Sequence, residues 1–119
     1  MTHLISIEGR SIGPGQPCFL IGEIGINHNG DPKTAIKMID AIADSGADCV
    51  KFQTFKADGF LSNSHDTYEY KSQGKVVIES MMDMFKRAEI SYDEFKRFFA
   101  HARSRGLIPL STPTDNEAV

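Results

Sequence analysis

Long apolar runs are missing from this chain of 119 residues. The longest uninterrupted one, Cys18-Phe19-Leu20-Ile21, stops at Gly22 and Glu23, far short of the ~20 residues that a membrane span requires. A bilayer-spanning helix is excluded. Excess positive charge is missing as well: 13 basic against 16 acidic side chains give a net charge of −3, which argues against a nucleic-acid partner held by phosphate neutralisation. Any anion site must be local. Cysteine is scarce, and Cys18 and Cys49 form no close pair, so a reducing cytoplasm is the expected compartment and both thiols are expected as small buried side chains. Residues 1–12 carry no apolar signal segment, and repeats and low-complexity tracts are absent. At 13.2 kDa the chain is one domain at most, whereas a complete (β/α)8 barrel needs roughly 250 residues. Barrel motifs found here must belong to a piece of one.

What is present alternates between strand and helix patterns. Ile5 and Ile7 around Ser6, the turn Glu8-Gly9-Arg10 and the return at Ser11-Ile12 predict a short hairpin. Residues 18–24 form an apolar run short enough for a strand buried on both faces. Asp31-Pro32 is a helix start, and Ala35, Ile36, Met38, Ile39, Ile42 and Ala43 give that helix one apolar face before Gly46 stops it. Residues 49–54 read as a second strand. Residues 55–77 show no period and read as a long connection, closed by a short amphipathic helix through Ile78, Met81, Met82 and Phe85. Met81, Met82 and Met84 are expected to fill core. Ser91-Tyr92-Asp93-Glu94 is a capping box, with Ile90 and Phe95 placed to staple and Phe95, Phe98, Phe99 and Ala102 as the stripe of another helix ending at Gly106. Residues 107–112 read as a third strand, and residues 113–119 as the first turn of a further helix. The order βαβαβ predicts a parallel sheet with crossover helices.

In parallel α/β folds ligands gather at the carboxyl ends of strands, and here those ends are polar: residues 23–30, residues 51–54 and residues 111–115. A period of two puts Glu23 on one face of the first strand and Lys51 and Gln53 on the same face of the second, with Val50 and Phe52 turned towards the helices. An unpaired charge inside such a sheet would cost several kcal/mol, so Glu23 and Lys51 must pair or await a charged ligand. A buried ion pair that only fixes register and a ligand site both meet this requirement, with Gln53 favouring the site. Asn27-His28-Asn29-Gly30 suits a turn that uses left-handed backbone. His28 with His65 has no metal-ligand spacing. Gly22 and Gly25 match neither a dinucleotide fingerprint nor a P-loop.

The segments 23–30, 45–57 and 111–113 together resemble the sialic acid (N-acetylneuraminate) synthase family, from about residue 12 to the end and with the family's spacing between the three. The resemblance implies an α/β fold, the N-terminal portion of a (β/α)8 TIM barrel preceded by a short hairpin, over residues 1–119, with the C-terminal half-barrel and the antifreeze-like domain absent. It implies condensation of phosphoenolpyruvate with the aldehyde of N-acetylmannosamine or a related N-acetylated amino sugar, by a homo-oligomer of a surface-polysaccharide pathway, with release of phosphate. A divalent metal, manganese or magnesium, would activate the aldehyde, its histidine ligands lying outside this chain. Carried over by the resemblance, Glu23 handles protons, Lys51 pairs with the phosphoenolpyruvate anion, Gln53 contacts the sugar, Thr112 holds phosphate, and Asn27 and His28 line the same mouth. The residues after Phe55 resemble the sialic or legionaminic branch more than the pseudaminic one. Pro109 departs from an ordinary third strand, since it removes a ladder donor, and marks either a bulge or the strand's first residues. Two other readings are a synthase of 3-deoxy sugar acids on the same fold, against which the Asn-His-Asn-Gly loop argues, and a non-catalytic half-barrel binding module. Alone, the 119 residues are expected to lack synthase activity.

Overall fold

The computed structural model describes residues 3–63 and 65–119. Its centre is a three-stranded parallel sheet, β3 (Ile21–Gly25), β4 (Cys49–Thr54) and β7 (Ile108–Pro113), in the order β3-β4-β7. Helices α1 (Pro32–Asp44) and α4 (Tyr92–Ser104) cover one face of it. The hairpin β1 (Ile5–Ile7) and β2 (Arg10–Ile12) lies at the amino-terminal end of the sheet, tied by Arg10 to Asp48 and by Glu8 to Arg103 on α4.

The core is the helix-facing half of the strand alternation. Val50 and Phe52 are fully buried with Ile24, Ile39, Phe98 and Ala102. The Phe52 ring stacks on Phe98 with centroids 5.7 Å apart and meets Phe95 edge-on at 5.9 Å, and burial of each such ring stabilises the fold by about 1.5–3 kcal/mol. Both helices start where the sequence places them. Asp31 accepts hydrogen bonds from the Lys33 and Thr34 amides, with Pro32 at the first position. Ser91 accepts from the Glu94 amide, while the Glu94 carboxylate turns to Arg97 instead of closing the box. Gly22 explains how closely α1 approaches the sheet, since a Cβ there would lie 2.6 Å from Ile42 Cγ2.

Several expectations need correction. The first parallel strand starts at Ile21, not at residue 18, because its paired register with β4 begins at Ile21 opposite Cys49. The Leu20 amide bonds the Asp48 carboxylate instead, and its carbonyl takes the Asp48 and Cys49 amides. Cys18 is therefore exposed, while Cys49 is buried as expected. The connection after β4 is not structureless: it holds a single helical turn α2 (Ala57–Phe60) and a hairpin of β5 (Thr67–Ser72) and β6 (Lys75–Ser80), joined by Gln73 and Gly74 at φ of 50° and 77°. Two successive residues with positive φ make a tight hairpin turn that matches strand twist. Ile78 sits in β6, and α3 (Met81–Ala88) begins only after Ser80, whose hydroxyl caps the Asp83 amide. Pro109 causes no bulge. It pairs in register with Val50, and its missing N–H falls on the side of β7 away from β4, where no ladder bond is lost. Residues 115–118 form a turn in which the Asp115 carboxylate accepts from the Glu117 and Ala118 amides.

Candidate functional site

The face of the sheet opposite the helices changes character along the strands. At its lower end Cys49 and Ile108 are neighbours, and Ile21 beside Cys49 is 48% exposed. Higher up come Glu23 beside Lys51, then Gln53 beside Thr112. The alternation that buries Val50 and Phe52 thus turns Lys51 and Gln53 to the other side. The ammonium of Lys51 pairs with the Glu23 carboxylate and also donates to the Thr112 hydroxyl at 3.2 Å. The structure brings Glu23, Lys51, Gln53 and Thr112 together on one surface at the carboxyl ends of three strands.

Glycine shapes this surface. The register of β3 on β4 shifts between Glu23 and Gly25, and Gly25 takes a φ of 56°, a backbone that a side chain resists. A Cβ at Gly25 would stand 3.3 Å from Glu23 Oε1 and 3.6 Å from Gln53 Nε2. Its absence leaves room between the carboxylate and the amide. Within these 119 residues the Glu23 and Lys51 side chains are 42% and 29% exposed, so the pair is reachable from solvent on this face of the sheet. A half-solvated ion pair contributes about 0–1 kcal/mol, too little for stability to be its main effect. Both groups are accessible to a ligand.

Asn27 and His28 part company. The Asn27 side chain is exposed and donates through Nδ2 to the Ile24 carbonyl at 3.0 Å. His28 is 1% exposed, and its Nδ1 accepts the Gly30 amide at 3.0 Å. The neutral ring then carries its proton on Nε2, which has no partner among the described residues, and burial pushes the His28 pKa down. Asn29 and Gly30 take φ of 52° and 74°, as the turn reading requires. Gly30 lies against the end of α3, where a Cβ would meet the Arg87 carbonyl oxygen at 2.1 Å.

The same loop forms one wall of a cleft of about 430 Å3 against α3 and the β5–β6 hairpin. Tyr68, Tyr70, Met81, Met84 and Phe85 line it, so these methionines serve a surface cavity rather than core. Strand spacing did not reveal this cleft because it depends on how the hairpin folds back onto α3. Among the described residues no three His, Cys, Asp or Glu side chains converge as a metal would need. No helix among them is long and apolar enough to cross a membrane.

The chain is similar to known proteins. The chain is 36% identical over 107 residues to N,N'-diacetyllegionaminic acid synthase of Legionella pneumophila, covering 90% of the chain and 30% of that protein. It is 33% identical over 114 residues to N-acetylneuraminate-9-phosphate synthase of Mus musculus, covering 93% and 31%. It therefore spans about three tenths of the length of these curated relatives. The crystal structure of N-acetylneuraminic acid (sialic acid) synthetase from Leptospira borgpetersenii in complex with citrate superposes with a TM-score of 0.78 at 28% identity, over 99% of this chain and 36% of that one. The three parallel strands with α1 and α4 are accordingly the N-terminal portion of a TIM barrel. Residues 38–119 match the model of the NeuB family, and with well over half its length in that match, the chain belongs to the NeuB family.

Proposed function

We propose that the protein to which these residues belong condenses phosphoenolpyruvate with N-acetylmannosamine or a related acylamino sugar aldehyde, giving N-acetylneuraminate or a related nonulosonic acid and phosphate. The observation that carries this reading is the Lys51 ammonium, held between the Glu23 carboxylate and the Thr112 hydroxyl at the carboxyl ends of the parallel strands. In the reaction, C3 of phosphoenolpyruvate bonds to the aldehyde carbon, water adds at C2, and the C2–O bond breaks as phosphate leaves. Lys51 supplies the charge that holds the carboxylate or phosphate of phosphoenolpyruvate. Thr112 gives a neutral donor beside it. Glu23, across the gap left by Gly25, is placed to take and return protons at the water and the aldehyde oxygen. Gln53 faces the same gap and binds sugar hydroxyls. A divalent metal, manganese or magnesium, is assigned to residues other than these. Names of the relatives support sugar-acid synthesis as the general kind of reaction.

Steady-state kinetics of a complete barrel carrying these residues test the reading. Lys51→Ala should raise KM for phosphoenolpyruvate by about 10–100-fold, the equivalent of losing a charged hydrogen bond of about 1.5–3 kcal/mol, and change KM for the sugar far less. Glu23→Gln should mainly lower kcat. An unchanged phosphoenolpyruvate dependence in the lysine variant would remove the anion role.

A further inference from the structure

The part of β4 that carries Gln53 has a strand neighbour on one side only. Pairing with β3 ends at Gly25 opposite Phe52, whereas β7 continues beside Gln53 and Thr54 through Thr112 and Pro113. Lys51, between Glu23 and Leu110, is flanked on both sides. How firmly Gln53 is held therefore depends on the chain that follows β4. The Thr54 carbonyl accepts the Thr114 amide at 3.2 Å, and the Thr54 hydroxyl meets that of Ser111 at 2.5 Å. Beyond Thr54 two carboxylates take over from the main-chain ladder. The Lys56 amide donates to Asp115 Oδ2 and the Ala57 amide to Glu89 Oε1, both at 2.7 Å. These acceptors come from different elements: Asp115 stands two residues after β7, and Glu89 directly follows α3.

Neither carboxylate is spare. Asp115 Oδ1 also accepts the Glu117 and Ala118 amides at 3.0 and 2.9 Å, and the Lys56 amide above all holds the Asp115 carboxyl below its ordinary range, so it is ionised at neutral pH. Glu89 Oε2 lies 3.5 Å from the Lys56 ammonium, which also sits over the Tyr92 ring at 5.6 Å. The Lys56 charge is thus engaged at the start of α4 rather than offered to an anion. Ala57 is fully buried, so its amide has no water to replace a lost acceptor. Hydrogen bonds to an ionised acceptor are roughly twice as strong as neutral ones, and two of them on adjacent amides, from two elements, set both the position and the direction of the turn. We propose that Glu89 and Asp115 are positioning residues: through the Lys56 and Ala57 amides they hold the carboxyl end of β4 so that Gln53 stays opposite Thr112 and beside the gap at Gly25. This rests on the synthase reading above, in which Gln53 serves the sugar. A displacement of about 1 Å can lower a rate on the order of 100-fold, and here it falls on Gln53 before Lys51, which two strands flank.

Steady-state kinetics of the complete protein, with each substrate varied in turn, test this on Glu89→Ala, Glu89→Gln and Asp115→Asn. Glu89→Ala deletes the acceptor of the Ala57 amide and should raise KM for the sugar about tenfold or more, while KM for phosphoenolpyruvate moves less than about threefold. Glu89→Gln keeps an acceptor oxygen for that amide and should restore most of the loss. Asp115→Asn leaves one acceptor oxygen for three amides, so it should raise KM for the sugar in the same sense while preserving side-chain volume. It decides the matter by the same constants if circular dichroism shows Glu89→Ala to be unfolded. A role confined to stability would lower the melting temperature and leave both constants of the folded protein alone. Unchanged constants, KM values for the two substrates that rise together, or no rescue by glutamine would each overturn the positioning role. The unsubstituted protein separates this from the wider reading: if it releases phosphate from phosphoenolpyruvate only with an N-acylated amino sugar present, those results remove the clamp alone. If it releases none, the synthase reading falls and the positioning role with it.

Discussion

Replacing Lys51 with alanine leaves the Glu23 carboxylate facing open space rather than a closed interior, because the pair is partly solvated. The substitution should therefore lower folding stability by less than about 1 kcal/mol while removing most affinity for phosphoenolpyruvate, and chemical denaturation alongside binding calorimetry separates the two. A purely structural bridge would show the opposite balance. His28 behaves differently because it is sealed. Its pKa is depressed by burial from an ordinary value of 6.5, so the unfolded chain takes up a proton at a pH where the folded ring stays neutral. The stability that His28 contributes is complete above about pH 6.5 and is lost as pH falls from there towards the lower, folded value. Urea midpoints at pH 7.5 and 5.5 should reveal the loss, and His28→Gln, which keeps an acceptor for the Gly30 amide, should flatten it. An equal loss in both proteins would assign the acid sensitivity elsewhere.

Helix α1 reaches its position only because β3 has no side chain at residue 22. Gly22→Ala puts a Cβ within 2.6 Å of the Ile42 side chain and should cost about 1–3 kcal/mol by overpacking. Gly30→Ala is expected to be worse. It combines a φ of 74° with a backbone oxygen at 2.1 Å, which no rotamer change relieves, and hydrogen exchange should show the end of α3 loosening before the sheet does. If the two melting temperatures fell equally, the backbone clash would not be the controlling contact. These elements also mark what sequence reading reached. α1 and α4 were legible because an N-cap, a 3.6-residue apolar stripe and a terminal glycine agreed for each, and β4 because Val50 and Phe52 alternate with Lys51 and Gln53. The β5–β6 hairpin was not legible. It packs no core cluster, Ile78 is 65% exposed, and its one local signal, Gln73-Gly74, looked like any other loop. Missing the hairpin meant missing the cleft. The charged surface, in contrast, followed from strand periodicity alone, whereas the burial of His28 required the fold of a loop that periodicity does not describe.

Across the whole molecule, the sheet is open: β3 and β7 each have one neighbour among the described residues, and Ile21 stands half exposed on the face that barrel closure would fill. Free strand edges beside exposed apolar side chains favour pairing with another copy. Light scattering on the 119 residues alone should give a mass above 13.2 kDa, with no phosphate released from phosphoenolpyruvate and N-acetylmannosamine. A monomer at that mass would show that the open sheet is self-sufficient. The anion surface needs only three strands, all of them present, so weak binding should survive where turnover does not. The most direct test of that surface is a phosphoenolpyruvate titration of the isotope-labelled chain at low salt, read at each backbone amide and repeated with Lys51→Ala. Saturable shifts centred on Lys51, Gln53 and Thr112 that vanish in the variant are the predicted result, and shifts that persist in the variant or spread over the exposed lysines of the hairpin would contradict the anion site.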